Sequence, residues 1–347
     1  MRRFGPGDKM PPALPAGIGG NTRTGLSGAI SNGNQDRGPR LAAIDIARGA
    51  AIVAMVVYHT AYDLSAHRLI ATDVAGNLGW TIFARAIAGT FLFLVGISLV
   101  LATAHGIVWT AYLRRLGLIA GGALLVTLST WWFDPQTFVF FGILHQIAAA
   151  SVLALPFLRL PSGVVAIAAA VVLALPLVFT STIFDWWPLW WIGLQTVPPV
   201  SVDCVPMFPW FGVVLAGIVG GRFIAANSDR IAYWRPTGVW ARWLSLAGRW
   251  SLVIYLVHQP LIVGVISLAA SVLPPNESVA RSNFMSQCFA ACERDSATCQ
   301  VFCTCMFDQL WGTDLFAINS FDQMLPVQRQ TFDGILSLCA PAEPAPQ

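Results

Sequence analysis

Between Ile87 and Ala104, and again between Val164 and Ser181, the chain carries no Lys, Arg, Asp or Glu. Runs of this length approach the ~20 residues an α-helix needs to cross a hydrocarbon core. Backbone left unpaired in lipid costs several kcal/mol per group, and a helix satisfies every such group within one segment. Composition agrees: 56% of residues are hydrophobic and 11% charged, against roughly 25% charged in soluble domains. The expected fold class is therefore all-α, a polytopic membrane helix bundle with a small cysteine-rich helical tail. About seven spans are expected, over Ala42–Tyr62, Trp80–Thr103, Leu116–Phe133, Phe138–Leu158, Val164–Ile183, Met207–Phe223 and Trp250–Val272. The Trp-rich stretch from Trp186 to Val205, with Pro198-Pro199, reads as an interfacial loop under an aromatic belt.

Three regions follow. Residues 1–40 are rich in Gly, Pro, Asn and Arg without helical periodicity and are expected to be a disordered cytoplasmic N-terminus. No apolar h-region precedes the first span, so that span should itself target the chain. Residues 41–272 form the membrane domain, and 273–347 form the tail.

Basic residues set the expected orientation. With the N-terminus inside, fifteen of the twenty Lys and Arg fall on the cytoplasmic side and four outside (Arg68, Arg281, Arg294, Arg329), with Arg85 inside a span. The positive-inside rule favours this arrangement, which places the tail outside the cytoplasm, on the periplasmic side if the membrane is an inner membrane. The net charge of +3 gathers at span ends and signals topology. No nucleic-acid partner is expected.

Six of the seven cysteines lie in the tail: Cys288, Cys292, Cys299, Cys303, Cys305 and Cys339. An even number in a short extracytoplasmic segment suggests disulfides. Cys288/Cys292 and Cys299/Cys303 each have i,i+4 spacing, which places both sulfurs on one helix face. Two such helices folded antiparallel allow Cys288–Cys303 and Cys292–Cys299, leaving Cys305 with Cys339; a thiolate zinc site is the rival reading. Gly117-x-x-x-Gly121 and Gly217-x-x-x-Gly221 fit close helix packing.

Charges inside the spans are the candidates for chemistry. Ionisable groups there cost roughly 2.5–3.5 kcal/mol each on insertion scales and usually face a cavity or a partner. At 100° per residue, Asp45, Arg48 and His59 share one stripe of the first helix, and Arg48 and His59 stand about 16 Å apart along it. Taken alone, Asp45 and Arg48 make an ordinary salt-bridged cap and His59 an interhelical hydrogen-bonding group. Asp63, Arg85, His145-Gln146 and His258-Gln259-Pro260 lie in or beside other spans and favour a shared polar cavity. His67 and His105 fall in loops and should be solvated.

The segments Ile-Asp45-Ile-Ala-Arg48-Gly49 through His59, Phe83-Ala-Arg85 through Phe93-Leu-Val-Gly96-Ile-Ser98, Phe141-Gly142-Ile-Leu-His145-Gln146, Phe208-Pro209-Trp210-Phe-Gly212 and Ile254-Tyr255-Leu-Val-His258-Gln259-Pro260 occur in order over residues 41–268. Together they resemble bacterial relatives of the heparan-α-glucosaminide N-acetyltransferase catalytic domain. The first is also similar to the broader membrane acyltransferases that decorate surface glycans.

The resemblance implies an acetyl-CoA-dependent acyltransferase, with acetyl-CoA as cytoplasmic co-substrate and no metal. The acceptor would be an envelope glycan or lipid-linked sugar outside, with the bilayer as surroundings and a homodimer as a reasonable assembly. His59 would be the general base or the acylated group. Arg48, with Arg114 and Arg115, would pair with CoA phosphates, since guanidinium suits phosphate oxygens, and Asp45 would orient Arg48. His258 and His145 would position substrate or stabilise an oxyanion. Arg85 would neutralise developing charge, or pair with Asp63 or Asp45. Two other classes stay open: a carrier using the same polar stripe, and a scaffold acting through the tail. The Trp residues near Trp186 read as headgroup anchors, with sugar stacking as the alternative.

Overall fold

A computed structural model describes residues 42–67, 69–70, 72–227, 238–272, 277–292, 295–317 and 324–340. The expected disorder of residues 1–40 lies outside these, as do Arg68, Arg230, Arg235 and Arg294. Among the described residues there are eleven α-helices and no strand, only an isolated parallel bridge between Phe141 and Cys204.

Seven of the helices are apolar: α1 (Ala42–Ala66), α2 (Leu78–Thr103), α3 (Trp109–Phe133), α4 (Ile143–Leu153), α5 (Ser162–Val178), α6 (Met207–Ala226) and α8 (Ser251–Val272). Five of them, α1, α2, α3, α6 and α8, are long and apolar enough to cross a membrane. The chain is a membrane protein whose outward side chains are themselves apolar. Leu118, Leu124, Leu125 and Leu128 of α3 are all exposed, as lipid contact requires.

The fourth and fifth expected spans are shorter than the hydropathy suggested. At Phe138–Leu158 the helix covers only Ile143–Leu153, followed by a 3-10 turn at Pro156–Arg159. The Gly142 N–H donates to His145 Nδ1 at 3.2 Å, a side-chain cap that starts α4 late. Residues 137–141 are instead bound by the returning loop, through Val202 N–H to Thr137 O at 2.9 Å and Val205 N–H to Phe141 O at 3.0 Å. In the fifth, Pro176 lies in the last turn, the chain is extended at Phe179, and α5 is 17 residues long. Hydropathy counted the apolar loop as span because burial against protein and burial in lipid leave the same sequence signature.

The core forms where α2 crosses α6. A Cβ on Gly96 would run into the Val214 carbonyl oxygen, and one on Gly217 into that of Phe93. Only hydrogen at those positions permits the approach. Leu92 and Leu99 of α2 meet Val214, Leu215 and Ile218 of α6, with Val165 and Ala169 of α5 behind them. The Gly217/Gly221 pair thus packs as expected, whereas Gly117 and Gly121 have nothing within 4 Å of a built Cβ.

One helix had no counterpart in the hydropathy. α7 (Val239–Arg249) is amphipathic, with Trp240 and Trp243 exposed. Its other face lies against the start of α1, so closely that a Cβ on Gly49 or Gly248 would strike the carbonyl oxygen of Leu244 or Asp45. The tail contributes α9 (Glu277–Ala291), α10 (Ser296–Leu310) and α11 (Pro326–Cys339). Three disulfides join Cys288 to Cys303, Cys292 to Cys299 and Cys305 to Cys339. Cys204 is free. Met306, Leu310 and Leu315 form a separate small core with Phe284, Phe316 and Phe332 around it.

Candidate active site

Two polar clusters lie along α1, one near each end. At its start, the Arg48 guanidinium donates to Ser98 Oγ of α2 and stands 3.8 Å from Asp45. Asp45 is shared, because Arg249 at the end of α7 approaches its other oxygen at 3.6 Å. Arg115 of α3 lies within electrostatic reach of Arg48, in a cleft lined by Val95, Leu99, Thr103, Tyr112 and Ser151. Two guanidinium groups therefore share one carboxylate, and a third lies within electrostatic reach of Arg48. Such an excess of oriented donors attracts an anion, and planar guanidinium matches phosphate or carboxylate oxygens.

The second cluster joins α1 to α8. The rings of His59 and His258 stand edge to face with centroids 5.0 Å apart. His258 Nδ1 lies 2.6 Å from the Tyr255 carbonyl oxygen, which requires the proton on Nδ1 and leaves Nε2 as an acceptor. That Nε2 is buried and has no hydrogen-bond partner among the described residues. One turn further along α1, Asp63 is 5% exposed and accepts two bonds from Gln259 Nε2 at 3.0 and 3.2 Å. His67 closes the sequence, with Nδ1 on Asp63 O at 2.9 Å and Nε2 3.4 Å from Ser267 Oγ. The α1 and α8 backbones thus run side by side, linked by polar pairs at 59/258, 63/259 and 67/267.

His145 has a different place. Its Nδ1 accepts from Gly142 N–H, so Nε2 carries the proton and donates to Thr127 Oγ1 at 3.1 Å, while the threonine donates to Val139 O. Both ring nitrogens are committed to holding the start of α4, which leaves neither for an oxyanion. Gln146, the next residue, is fully buried, and neither amide atom has a partner among the described residues. Buried polar groups in native proteins are nearly always paired, so this amide marks a place for a polar ligand group or water.

Arg85 is exposed on α2, and among the described residues no ion pair joins it to Asp63 or Asp45. Phe83 and Ile87 are α2 residues packed with Ile52 and Met55 of α1, and Arg85 lies about 200° around the helix from each. Arg114 is likewise exposed, one step around α3 from the cleft that Arg115 lines.

Asp203 entered no sequence argument. It lies in the loop between α5 and α6, where its Oδ2 accepts the Ile143 N–H at 3.1 Å and its carboxylate interacts with the Tyr255 hydroxyl. Burial pushes this carboxyl above the usual range, and the two donors pull it back. Its signal was available: it is the sole charged residue between Asp185 and Arg222. Burial, with Asp203 alongside, also lifts the Cys204 thiol to about 11, so Cys204 is no thiolate nucleophile at neutral pH. No group of three or more His, Cys, Asp or Glu arranged to hold a metal occurs among the described residues.

A membrane helix bundle thus carries an arginine cluster near the start of α1 and a histidine pair further along it. The family model described as heparan-alpha-glucosaminide N-acetyltransferase, catalytic, matches residues 40–260, well over half of the chain. The chain belongs to that family, which makes it a membrane protein of the acetyltransferase kind, and the family in general uses acetyl-CoA as donor. No curated protein and no solved structure matches the chain.

Proposed function

We propose that this protein moves an acetyl group from cytoplasmic acetyl-CoA to a sugar acceptor on the other side of a bacterial inner membrane, an envelope glycan or a lipid-linked sugar. The observation that carries the reading is the His59–His258 pair, in which the Tyr255 carbonyl fixes the His258 tautomer and leaves Nε2 unpaired. A neutral imidazole nitrogen held in this way is a general base. It takes the proton of the acceptor hydroxyl or amine as that atom attacks the thioester carbonyl. The C–S bond then breaks, CoA leaves as thiolate, and the proton passes from the imidazolium to the sulfur. His59, against the ring of His258, supports the charge or shares the proton.

The arginine cluster fits the donor. Arg48, held by Ser98 and Asp45, and Arg115 would pair with CoA phosphates at the cytoplasmic end. The roughly 16 Å from Arg48 to His59 along α1 is comparable with an extended pantetheine arm. Fifteen of the twenty basic residues lie on the Arg48 side under this orientation, with α9, α10 and α11 periplasmic and a homodimer as the assembly.

The test is acetyl-CoA turnover by the purified protein in nanodiscs, with free CoA as readout. Release by the wild type that vanishes in His258→Gln and His59→Ala supports the reading. Absence of both binding and turnover in folded wild-type protein would reduce the family membership to a statement about fold.

A further inference from the structure

Two tyrosines flank the histidine pair. Tyr58 precedes His59, with ring centroids 5.5 Å apart, and Tyr255 lies one turn before His258, at 5.7 Å. Asp203 interacts with the Tyr255 hydroxyl and is close enough to Tyr58 to act on it electrostatically. Its own placement is fixed from four directions. The α4 N-terminus binds one carboxylate oxygen through Ile143 N–H at 3.1 Å, where the helix dipole favours an anion. Gly142 leaves the room, since a Cβ there would lie 2.5 Å from Asp203 Oδ2. The loop is tied down on both sides, by Val202 N–H to Thr137 O and Val205 N–H to Phe141 O. Ser201 Oγ bonds Phe138 O at 2.9 Å.

A charged group in this setting is costly to bury, and the loop could have presented an amide or a hydroxyl to cap α4 at lower cost. What a carboxylate adds is a second acceptor oxygen beside the one the helix uses. The tyrosine in turn supplies the carbonyl that takes the His258 Nδ1 proton. A line of contacts therefore runs from the α4 N-terminus through Asp203 and Tyr255 to His258.

We propose that Asp203 is a positioning residue for the transfer: by holding the Tyr255 hydroxyl it fixes the turn of α8 that aims His258 Nε2 at the acceptor. The inference rests on the acetyl-transfer reading for its kinetic consequence but not for its geometry, and the test separates the two. Asparagine at 203 keeps the size but offers one acceptor oxygen in place of two, so Ile143 and Tyr255 must share it.

The experiment uses the full chain in nanodiscs and compares wild type with Asp203→Asn, Tyr255→Phe and the double variant. kcat is expected to fall on the order of 10- to 100-fold in each single variant, the loss typical of a slightly misplaced reacting group, with KM for acetyl-CoA unchanged. The double variant should be no worse than either single one, since both cut the same line. Additive losses, or a rise in KM with kcat intact, would overturn the proposal. In parallel, diethylpyrocarbonate labelling is followed by peptide mass spectrometry. His258 should change its modification rate in both variants while His67 keeps its own, whether or not the protein turns over acetyl-CoA. An unchanged His258 rate overturns the positioning role even if transfer is established. An inactive wild type with the His258 change intact sinks the acetyl-transfer reading and leaves the Asp203 link standing. Should Asp203→Asn not fold, Tyr255→Phe carries both arms, because removing one hydroxyl leaves the α4 cap in place.

Discussion

His59 and His258 meet edge to face across α1 and α8, 199 positions apart in sequence with ring centroids 5.0 Å apart. The two rings are not equivalent. The Tyr255 carbonyl pins His258 Nδ1, whereas His59 is held by packing against Tyr58 and His258. Replacing His258 with Gln should therefore cut acetyl transfer by about 10²- to 10⁴-fold, the usual contribution of a general base. His59→Ala should fall in the same range, and the double variant should lose little more than either. Steady-state turnover in nanodiscs reads this directly; activity near wild type in the His258 variant would remove it from the mechanism.

The Arg48 cluster should act on donor binding. Charge-assisted bonds are worth roughly 1.5–3 kcal/mol, or about ten- to a hundredfold in affinity. Arg48→Ala and Arg115→Ala are expected to raise KM for acetyl-CoA by that order while KM for the acceptor stays put. Titration of binding by isothermal calorimetry provides the check, and equal weakening for donor and acceptor would count against the assignment.

The α2–α6 crossing predicts a contrast between two Gly-x-x-x-Gly pairs. Gly217→Leu would drive a side chain into the Phe93 backbone, and overpacking of this kind costs about 1–3 kcal/mol or more. Gly117→Leu meets open space and should leave the folded yield unchanged. Thermal unfolding in detergent compares them, and equal tolerance would contradict the crossing.

Removing the Cys305–Cys339 bond opens a 34-residue separation, a loss of about 4 kcal/mol on the chain-entropy account. The Cys305→Ser, Cys339→Ser double variant should free α11 to exchange its amide hydrogens while α9 and α10, still joined by two bonds, remain protected. Uniform loss of protection over all three helices would show that the tail unfolds as one unit.

Acid should loosen the start of α10. The Asp295 carboxyl accepts the Thr298 N–H at 2.9 Å and the Thr298 hydroxyl at 2.7 Å, and these bonds hold it below the ordinary carboxylate range. A depressed folded value means the contribution is complete above the unfolded pKa near 4 and is lost as pH falls through the folded one. Amide exchange in the first turn of α10, corrected for intrinsic rates, should accelerate below about pH 4 in wild type. The same step should be missing in Asp295→Asn.

Much of the fold was legible because lipid imposes a one-dimensional constraint. A spanning helix must be apolar along its length, so α1, α2, α3, α6 and α8 stand out from the sequence, within a few residues of their ends except that α3 begins at Trp109, seven residues before the expected Leu116. Cysteine spacing likewise paired the sulfurs of α9 and α10, since i,i+4 geometry is local. The shortness of α4 and α5 was not legible. The stretch Phe138 to Gly142 is as apolar as a span, and its pairing with the loop before α6 is a property of contacts distant in sequence. α7 was hidden for the opposite reason: its stripe is amphipathic, and its fit against α1 depends on two glycines two hundred residues apart.

The site divides along the same line. Asp45, Arg48 and His59 could be placed on one stripe by helical period alone, because 3.6 residues per turn is fixed by the backbone. Which partners they meet could not. That His258 stands against His59, that His145 spends both nitrogens on a helix start, that Arg85 faces outward and that Asp203 reaches Tyr255 are all decided by how the helices are rotated and stacked. The sequence by itself determined the solvent the chain folds in and the residues with chemistry to offer. Tertiary structure decided which of those residues meet, because helix rotation is set by side-chain packing summed over many distant contacts, and no local pattern records it.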